Sequence, residues 1–378
     1  MRFLITPDSY KESLSAVEAA EIIQQAIHNV LPEAECELAP MADGGEGTAE
    51  CLRLAEQGEA IKCQVLNPLG EVIETDFVWI SRQKKAIIEV AKACGLMLIP
   101  SEKRNPMLTT TYGVGQLIKQ AIDMGCRELV LTLGGTGTND GGCGMLSALG
   151  AEILDQKGEP AALGGRGLSS IREINLEKPI ELLKDIKVTV LCDVKSPLLG
   201  EKGATYVFGK QKGASKDDLE KLEQGMSNYA AVINRKLGRS IEELPGSGAA
   251  GGLGCALYAI CEADYVSGSK YVMEALRVEE KIQRCDYVIT GEGSIDAQSL
   301  EGKVPISIAQ IASRYQKPVI VFVGMARGDN HAYYAKGITS IFCILKKLDS
   351  MQNILDQAGK NLLFSVENFA RVLKSCGK

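Results

Sequence analysis

The chain has 378 residues, of which 45% are apolar, enough for a substantial core and too many for a disordered chain. Lys plus Arg number 42 against 48 Asp plus Glu, a net charge of −6, and aromatics make up only 5%. The basic footprint and stacking surface of a nucleic-acid binder are therefore missing, and small molecules are the expected partners.

Strand and helix alternate from the start. Arg2-Phe3-Leu4-Ile5-Thr6 reads as a strand, with no apolar leader and no run of 18 apolar residues, so neither secretion nor a membrane span is expected. The next helix covers 15–31, with Val17, Ala20, Ile23, Ile27 and Val30 as its apolar stripe and Ser15 with Glu18 as a capping box. Strand 36–40 leads through the loop 41–48 into a helix ending near 57. Three β-rich runs, 61–66, 72–80 and 86–90, with an Asn67-Pro68-Leu69-Gly70 turn between the first two, read as an antiparallel meander.

Helix 109–124, strand 128–133, a glycine-rich loop 134–142 and a short helix to 149 follow. Strand 188–192 and a long helix 216–237 come next. A glycine-dense turn after Pro245 opens helix 251–262. From 285 the alternation is regular: strand 286–290, helix 304–315, strand 318–323, helix 330–336, strand 340–344 and helix 352–374. The class is α/β. Residues 1–60 plus 285–378 are expected to form one discontinuous domain, and 61–284 an inserted α/β domain containing a mixed sheet.

The twelve cysteines contain no C-x-x-C pair, and two histidines cannot complete a zinc site, so the cysteines read as reduced, small hydrophobes in a cytoplasmic protein. His28 falls on the polar side of its helix, which leaves His331 as the one histidine available to a site. A general base is therefore expected to be a carboxylate or a lysine.

One arrangement recurs: a buried strand ends in an acidic or glycine-rich loop. It occurs at Ile5-Thr6-Pro7-Asp8, Leu131-Thr132-Leu133-Gly134-Gly135, Val190-Leu191-Cys192-Asp193 and Ile289-Thr290-Gly291-Glu292. Ligands of open α/β sheets bind beyond the carboxyl ends of the strands. Carboxylates without histidine suit Mg²⁺, and bare N–H groups near helix starts suit phosphate, so the loops together point to MgATP. Asp193, directly after a β-branched strand, is the best single carboxylate. Asp43 also matches capping-box spacing with Glu46. Five glycines in residues 134–142 exceed the need of one turn and suggest close approach of a ligand. Lys11 and Lys303 lie in or beside these loops. Gly246-Ser247-Gly248-Ala249-Ala250-Gly251 fits G-x-G-x-x-G, but polar residues 239–245 replace the strand that a dinucleotide fingerprint needs. No P-loop is present.

As an ordered set these loops resemble the type-1 glycerate kinases. The resemblance is carried by Pro7 to Ala16 (PDSYKESLSA), Pro40 to Thr48 (PMADGGEGT), GGTGTNDGG at 134–142, CDVKSPLLGEKGATYVFGKQKGA at 192–214, PGSGAAGGLG at 245–254 and TGEGSIDAQSLEGKVP at 290–305. It spans essentially the whole chain. Departures at Tyr10, Glu12, Thr136-Gly137 and Ser196 remove no acid or lysine of the motifs. The resemblance implies a flavodoxin-like domain made from both chain ends, an inserted α/β domain, and an active site lying between them. It further implies ATP- and Mg²⁺-dependent phosphorylation of D-glycerate, typically giving 2-phosphoglycerate in glyoxylate, glycolate or sugar-acid catabolism.

On that reading Asp193, or failing that Asp8, accepts the hydroxyl proton. Glu292 and Asp296 hold Mg²⁺ directly or through water. Asp43, Gly44, Gly45, Gly134, Gly135, Thr136 and Lys303 belong to the phosphate and nucleotide site, and Lys11 offsets phosphate charge. Lys195 and Arg327 are both available for the glycerate carboxylate. The alternatives are formation of 3-phosphoglycerate, another hydroxy acid as acceptor, and, more remotely, an NAD-dependent oxidoreductase or a non-catalytic binding protein.

Overall fold

Runs of buried β-branched and aliphatic residues, broken by glycine and proline, define the strands. In chain order these are β1 (Arg2–Ile5), β2 (Glu35–Leu38), β3 (Glu59–Leu66), β4 (Val72–Ile80), β5 (Lys85–Glu89), β6 (Glu128–Thr132), β7 (Glu152–Asp155), β8 (Ile171–Asn175), β9 (Lys187–Leu191), β10 (Asp264–Val266), β11 (Tyr287–Ile295), β12 (Val319–Ala326) and β13 (Ser340–Cys343). The structure, a computed structural model, describes residues 1–296 and 299–377. The chain divides into two compact units, one built from residues 1–43, 50–55 and 269 onward, the other from 44–49 and 56–268.

The first unit holds a five-stranded parallel sheet in the order β13-β12-β11-β1-β2. Counted within this sheet the order is 2-1-3-4-5, the flavodoxin-like arrangement, whose switch point lies between β1 and β11. Phe3, Leu4 and Ile5 are all buried, as in a strand covered on both faces. The helix Ala16–Val30 starts at the expected capping box: Glu18 N–H donates to Ser15 Oγ (3.2 Å) and Ser15 N–H to Glu18 Oε2 (2.8 Å). Its buried face is Ala16, Ala19, Ala20, Ile23, Ala26, Ile27 and Val30, which keeps the expected stripe except for Val17, only half-buried. It packs with Phe3, Ile5, Ile289 and Phe322 of the sheet and with Leu362 and Val366 of the helix Ala358–Ser375. Burial of each isoleucine there contributes about 1.5–3 kcal/mol.

The second unit holds a six-stranded mixed sheet, β10-β9-β6-β5-β4-β3. β3, β4 and β5 form the antiparallel meander, and β5, β6, β9 and β10 run parallel. Asn67 fixes the β3–β4 turn, its Oδ1 accepting from the N–H groups of Leu69 (2.9 Å) and Glu71 (3.0 Å).

Four expectations change in detail. β11 does not stop at 290; it continues to Ile295 in register with β12, so Gly291 and Glu292 are strand residues. A Cβ at Gly291 would sit 2.2 Å from the Phe322 carbonyl oxygen, which explains a glycine inside a paired strand. The hairpin β7–β8 lacks a strand pattern in the sequence, because its strands are short and half charged. The expected helix 251–262 is instead Ala249–Ile260, kinked near its start by three left-handed residues, Ala250, Gly251 and Gly252. The last helix is broken at Gln357 into Met351–Asp356 and Ala358–Ser375. No strand occupies 239–245, consistent with the sequence reading against a dinucleotide fingerprint.

Candidate active site

In the first unit the switch point between β1 and β11 gathers the acidic residues. Asp8 N–H donates to the Gly291 carbonyl (2.8 Å) and Thr290 Oγ1 to the Thr6 carbonyl (2.7 Å), which clamps the end of β1 onto β11. Met41 N–H donates to the Pro7 carbonyl (2.8 Å), bringing the loop after β2 alongside. Tyr10 turns inward and donates its hydroxyl to the Phe322 carbonyl (2.7 Å), which fixes the turn carrying Lys11.

Four carboxylates and two lysines result. Burial, then the charge of Asp43, raises Asp8 to about 7; the Ser9 amide and Lys11 work against this, and Glu292 adds to it. Glu292 is only 7% exposed, and burial likewise raises it to about 7, with Asp296 and Asp43 reinforcing the shift and Lys303 and the Ser299 hydroxyl opposing it. Ser299 links the two members of the expected metal pair: its Oγ donates to Glu292 Oε1 (3.0 Å), and its N–H faces Asp296 Oδ1 (3.3 Å). Lys303 is half-buried at the N-cap of the helix Val304–Arg314, while Lys11 is exposed. Residues 297 and 298 of this motif lie outside the described residues.

Among the described residues no three His, Cys, Asp or Glu side chains form a ready cage for a metal ion. Mg²⁺ rarely uses one; it takes one or two carboxylates and completes its shell with water and substrate phosphate. Oxygen donors held charged only at a cost by burial and mutual repulsion fit that ion.

In the second unit the loops converge at the carboxyl ends of the parallel strands. Segment 44–49 is tied there by Glu89, the last residue of β5, whose carboxylate accepts from the N–H groups of Gly47 (3.1 Å) and Ala49 (3.2 Å) at the start of the helix Thr48–Glu56. Gly44, at φ +92°, lies against Gly268 and the Leu191 carbonyl. Asp193, beyond β9, is exposed, and its Oδ1 accepts from Gly268 N–H (3.2 Å). Gly134 faces Gly45 so closely that a Cβ would come within 2.4 Å of the Gly45 Cα.

The glycines of 134–142 divide into two kinds. Gly137, Gly141 and Gly142 are packing residues, where a Cβ would strike Ile99, Tyr229 and Ala256 respectively. Gly134 and Gly135 remain half-buried and exposed, with Gly135 left-handed at φ +69° and Thr136 buried behind them. Asp140 closes the loop as a fully buried carboxylate. It accepts from Thr111 N–H (2.8 Å), Thr111 Oγ1 (2.9 Å), Thr110 Oγ1 (3.3 Å), Gly142 N–H (3.1 Å) and Gly144 N–H (3.2 Å).

Three residues of this region escaped the sequence reading: Glu89, Asp140 as a loop anchor, and Lys212. Glu89 carried a usable signal, an acid ending a buried strand in the manner of Asp193. Lys195 is exposed, as is Arg327.

A family model described as the glycerate kinase family matches residues 3–374. A glycerate kinase of Haemophilus influenzae is 43% identical over 373 residues, covering 99% of each chain. A glycerate 2-kinase of Escherichia coli is 42% identical over 373 residues, covering 99% of this chain and 98% of its own. Among solved structures, a Salmonella typhimurium LT2 chain bearing the designation glycerate kinase 2 matches with a TM-score of 0.84 at 40% identity, over 100% of this chain and 99% of the other.

Proposed function

The chain belongs to the glycerate kinase family, and from that premise we propose that it transfers the γ-phosphoryl group of ATP to the 2-hydroxyl of D-glycerate, giving 2-phosphoglycerate and ADP. As a member it is a phosphotransferase with an alcohol acceptor. The position of transfer takes its support from the Escherichia coli relative named glycerate 2-kinase. A place in the catabolism of glyoxylate, glycolate or sugar acids accompanies that product. The observation that carries the site assignment is the pair of carboxylates, Asp8 and Glu292, raised to about 7 at the switch point of the parallel sheet.

Phosphoryl transfer is mainly positioning and neutralisation of charge. In the proposed mechanism Asp193 takes the proton of the glycerate hydroxyl as that oxygen bonds to the γ-phosphorus and the bond to the β–γ bridging oxygen breaks. Glu292 and Asp296 would hold Mg²⁺, which supplies charge neutralisation on the phosphates when bound. Asp43 and Lys303 complete their surroundings. The N–H groups of Gly44, Gly45, Gly134, Gly135 and Thr136 face phosphate oxygens, and Lys11 offsets their charge. Asp8 is the second reading for the base, favoured by a proton affinity matched to neutral pH.

No described helix is long and apolar enough to cross a membrane. The proposed place of action is the cytoplasm, supported by cysteines that are scattered without C-x-x-C spacing. The test of the acceptor is ADP release with MgATP and a panel of small hydroxy acids. D-Glycerate is expected to give the highest kcat/KM. A higher value for another acid would reassign the substrate, and ADP release with none of them would refute the reading.

A further inference from the structure

Lys212 ends the 3₁₀ turn Lys210–Lys212, and unlike its exposed neighbours Lys210 and Gln211 it is only 2% exposed. The turn is forced inward by Gly213, at φ +96°, which lies so close to the Arg104 carbonyl that a Cβ would come within 2.2 Å of its oxygen. The ammonium donates to the Thr138 carbonyl (2.7 Å) and approaches Thr136 Oγ1 (3.4 Å). Both partners are neutral, and among the described residues no carboxylate lies within ion-pair distance of it. The ionisable groups whose charge acts on it are Cys94 and Asp140. Cys94 is pushed up to about 12 by burial and stays a neutral thiol, and Asp140 already accepts from five donors.

A buried cation without a counter-ion is costly, and so is a buried donor without an acceptor. The same loop, 134–142, supplies both of the ammonium's partners, and in it the N–H groups of Gly134, Gly135 and Thr136 donate to no acceptor among the described residues. Consecutive free N–H groups around a left-handed residue form an anion-binding concavity. The unpaired charge thus rests on the loop that carries the unpaired donors.

We propose that Lys212 is a positioning residue for phosphate: anchored on Thr136 and Thr138, its ammonium is the interior counter-charge of an anion held by the N–H groups of residues 134–136. The proposal rests on the kinase reading, in which that anion is a nucleotide phosphate. Burial lowers the Lys212 ammonium to about 8 in the free protein. A bound anion favours the charged form and raises it, so nucleotide binding above pH 8 takes up a proton.

The test is calorimetric binding of the magnesium complex of β,γ-imido-ATP to wild type and Lys212→Met at pH 7.5 and 9, each in two buffers of different ionisation enthalpy. Wild type is expected to take up a substantial fraction of a proton at pH 9 and much less at 7.5. Lys212→Met, folded by circular dichroism, is expected to bind at least tenfold more weakly at pH 7.5, to lose that uptake, and to leave the KM for D-glycerate within about threefold. A folded Lys212→Met binding within threefold of wild type would overturn the proposal. Should Lys212→Met not fold, wild-type uptake decides: uptake at pH 9 that Lys212→Arg abolishes supports the proposal, and its absence overturns it. Wild type that phosphorylates glycerate while these variants behave normally would sink this inference alone. Wild type that neither binds the analogue nor turns over glycerate would sink the kinase reading with it.

Discussion

Replacing Glu292 with glutamine should make the metal-free protein more stable while removing its activity. Glu292 is raised from its ordinary 4.5 to about 7, mainly by burial. A raised carboxyl binds its proton more tightly in the folded state, so stability is fully present below pH 4.5 and falls as pH rises toward 7. The loss amounts to under about 1 kcal/mol at pH 5 and about 3 kcal/mol at pH 8, taking about 1.4 kcal/mol for each pH unit across the window. Glutamine is neutral throughout and its amide oxygen can still accept from Ser299 Oγ, which sits 3.0 Å from the carboxylate. Urea denaturation of both proteins in EDTA, at pH 5 and pH 8, should therefore show near-equal midpoints at pH 5 and a clearly higher one for Glu292→Gln at pH 8. Added Mg²⁺ should stabilise wild type at pH 8 and leave the variant unmoved. A variant equal to or less stable than wild type at pH 8 would refute the idea that Glu292 is held charged against its surroundings for a ligand's sake.

Asp193→Asn should lower kcat by 10²–10⁴ with little change in fold, and a loss below about tenfold in steady-state turnover would transfer the role of base to Asp8. Gly134→Ala places a Cβ 2.4 Å from the Gly45 Cα, so kinetics should show the KM for MgATP rising tenfold or more while denaturation shows a loss of only about 1–3 kcal/mol. Asp140→Ala leaves the N–H groups of Thr111, Gly142 and Gly144 buried without their acceptor, a loss of about 3 kcal/mol or more that urea denaturation should register.

The elements most legible in the sequence were those whose signal is local. Phe3-Leu4-Ile5, the meander from 61 to 90 and the Ser15–Glu18 cap each carry their cause within a few residues. The end of β11 is not legible, because Gly291 and Gly293 suggest a loop; only the adjacent β12 backbone and Tyr10 make glycine necessary at 291. The site residues divide the same way. Asp8 and Asp193 stand directly after strands and could be read. Lys212 and Asp140 could not, since their roles depend on partners 74 and 29 residues away, Thr138 and Thr111. Likewise, the glycines of 134–142 look alike in sequence, and only their neighbours separate the three packed on Ile99, Tyr229 and Ala256 from Gly134, which lies against Gly45, and from the exposed Gly135.

The central claim is phosphorylation of D-glycerate at its 2-hydroxyl, and phosphorus NMR of the purified protein with MgATP and D-glycerate tests it most directly. The account predicts that the γ-phosphate signal of ATP decays as a phosphomonoester signal matching 2-phosphoglycerate grows. A signal matching 3-phosphoglycerate would overturn the position of transfer, and an ATP spectrum that stays unchanged would contradict the account itself.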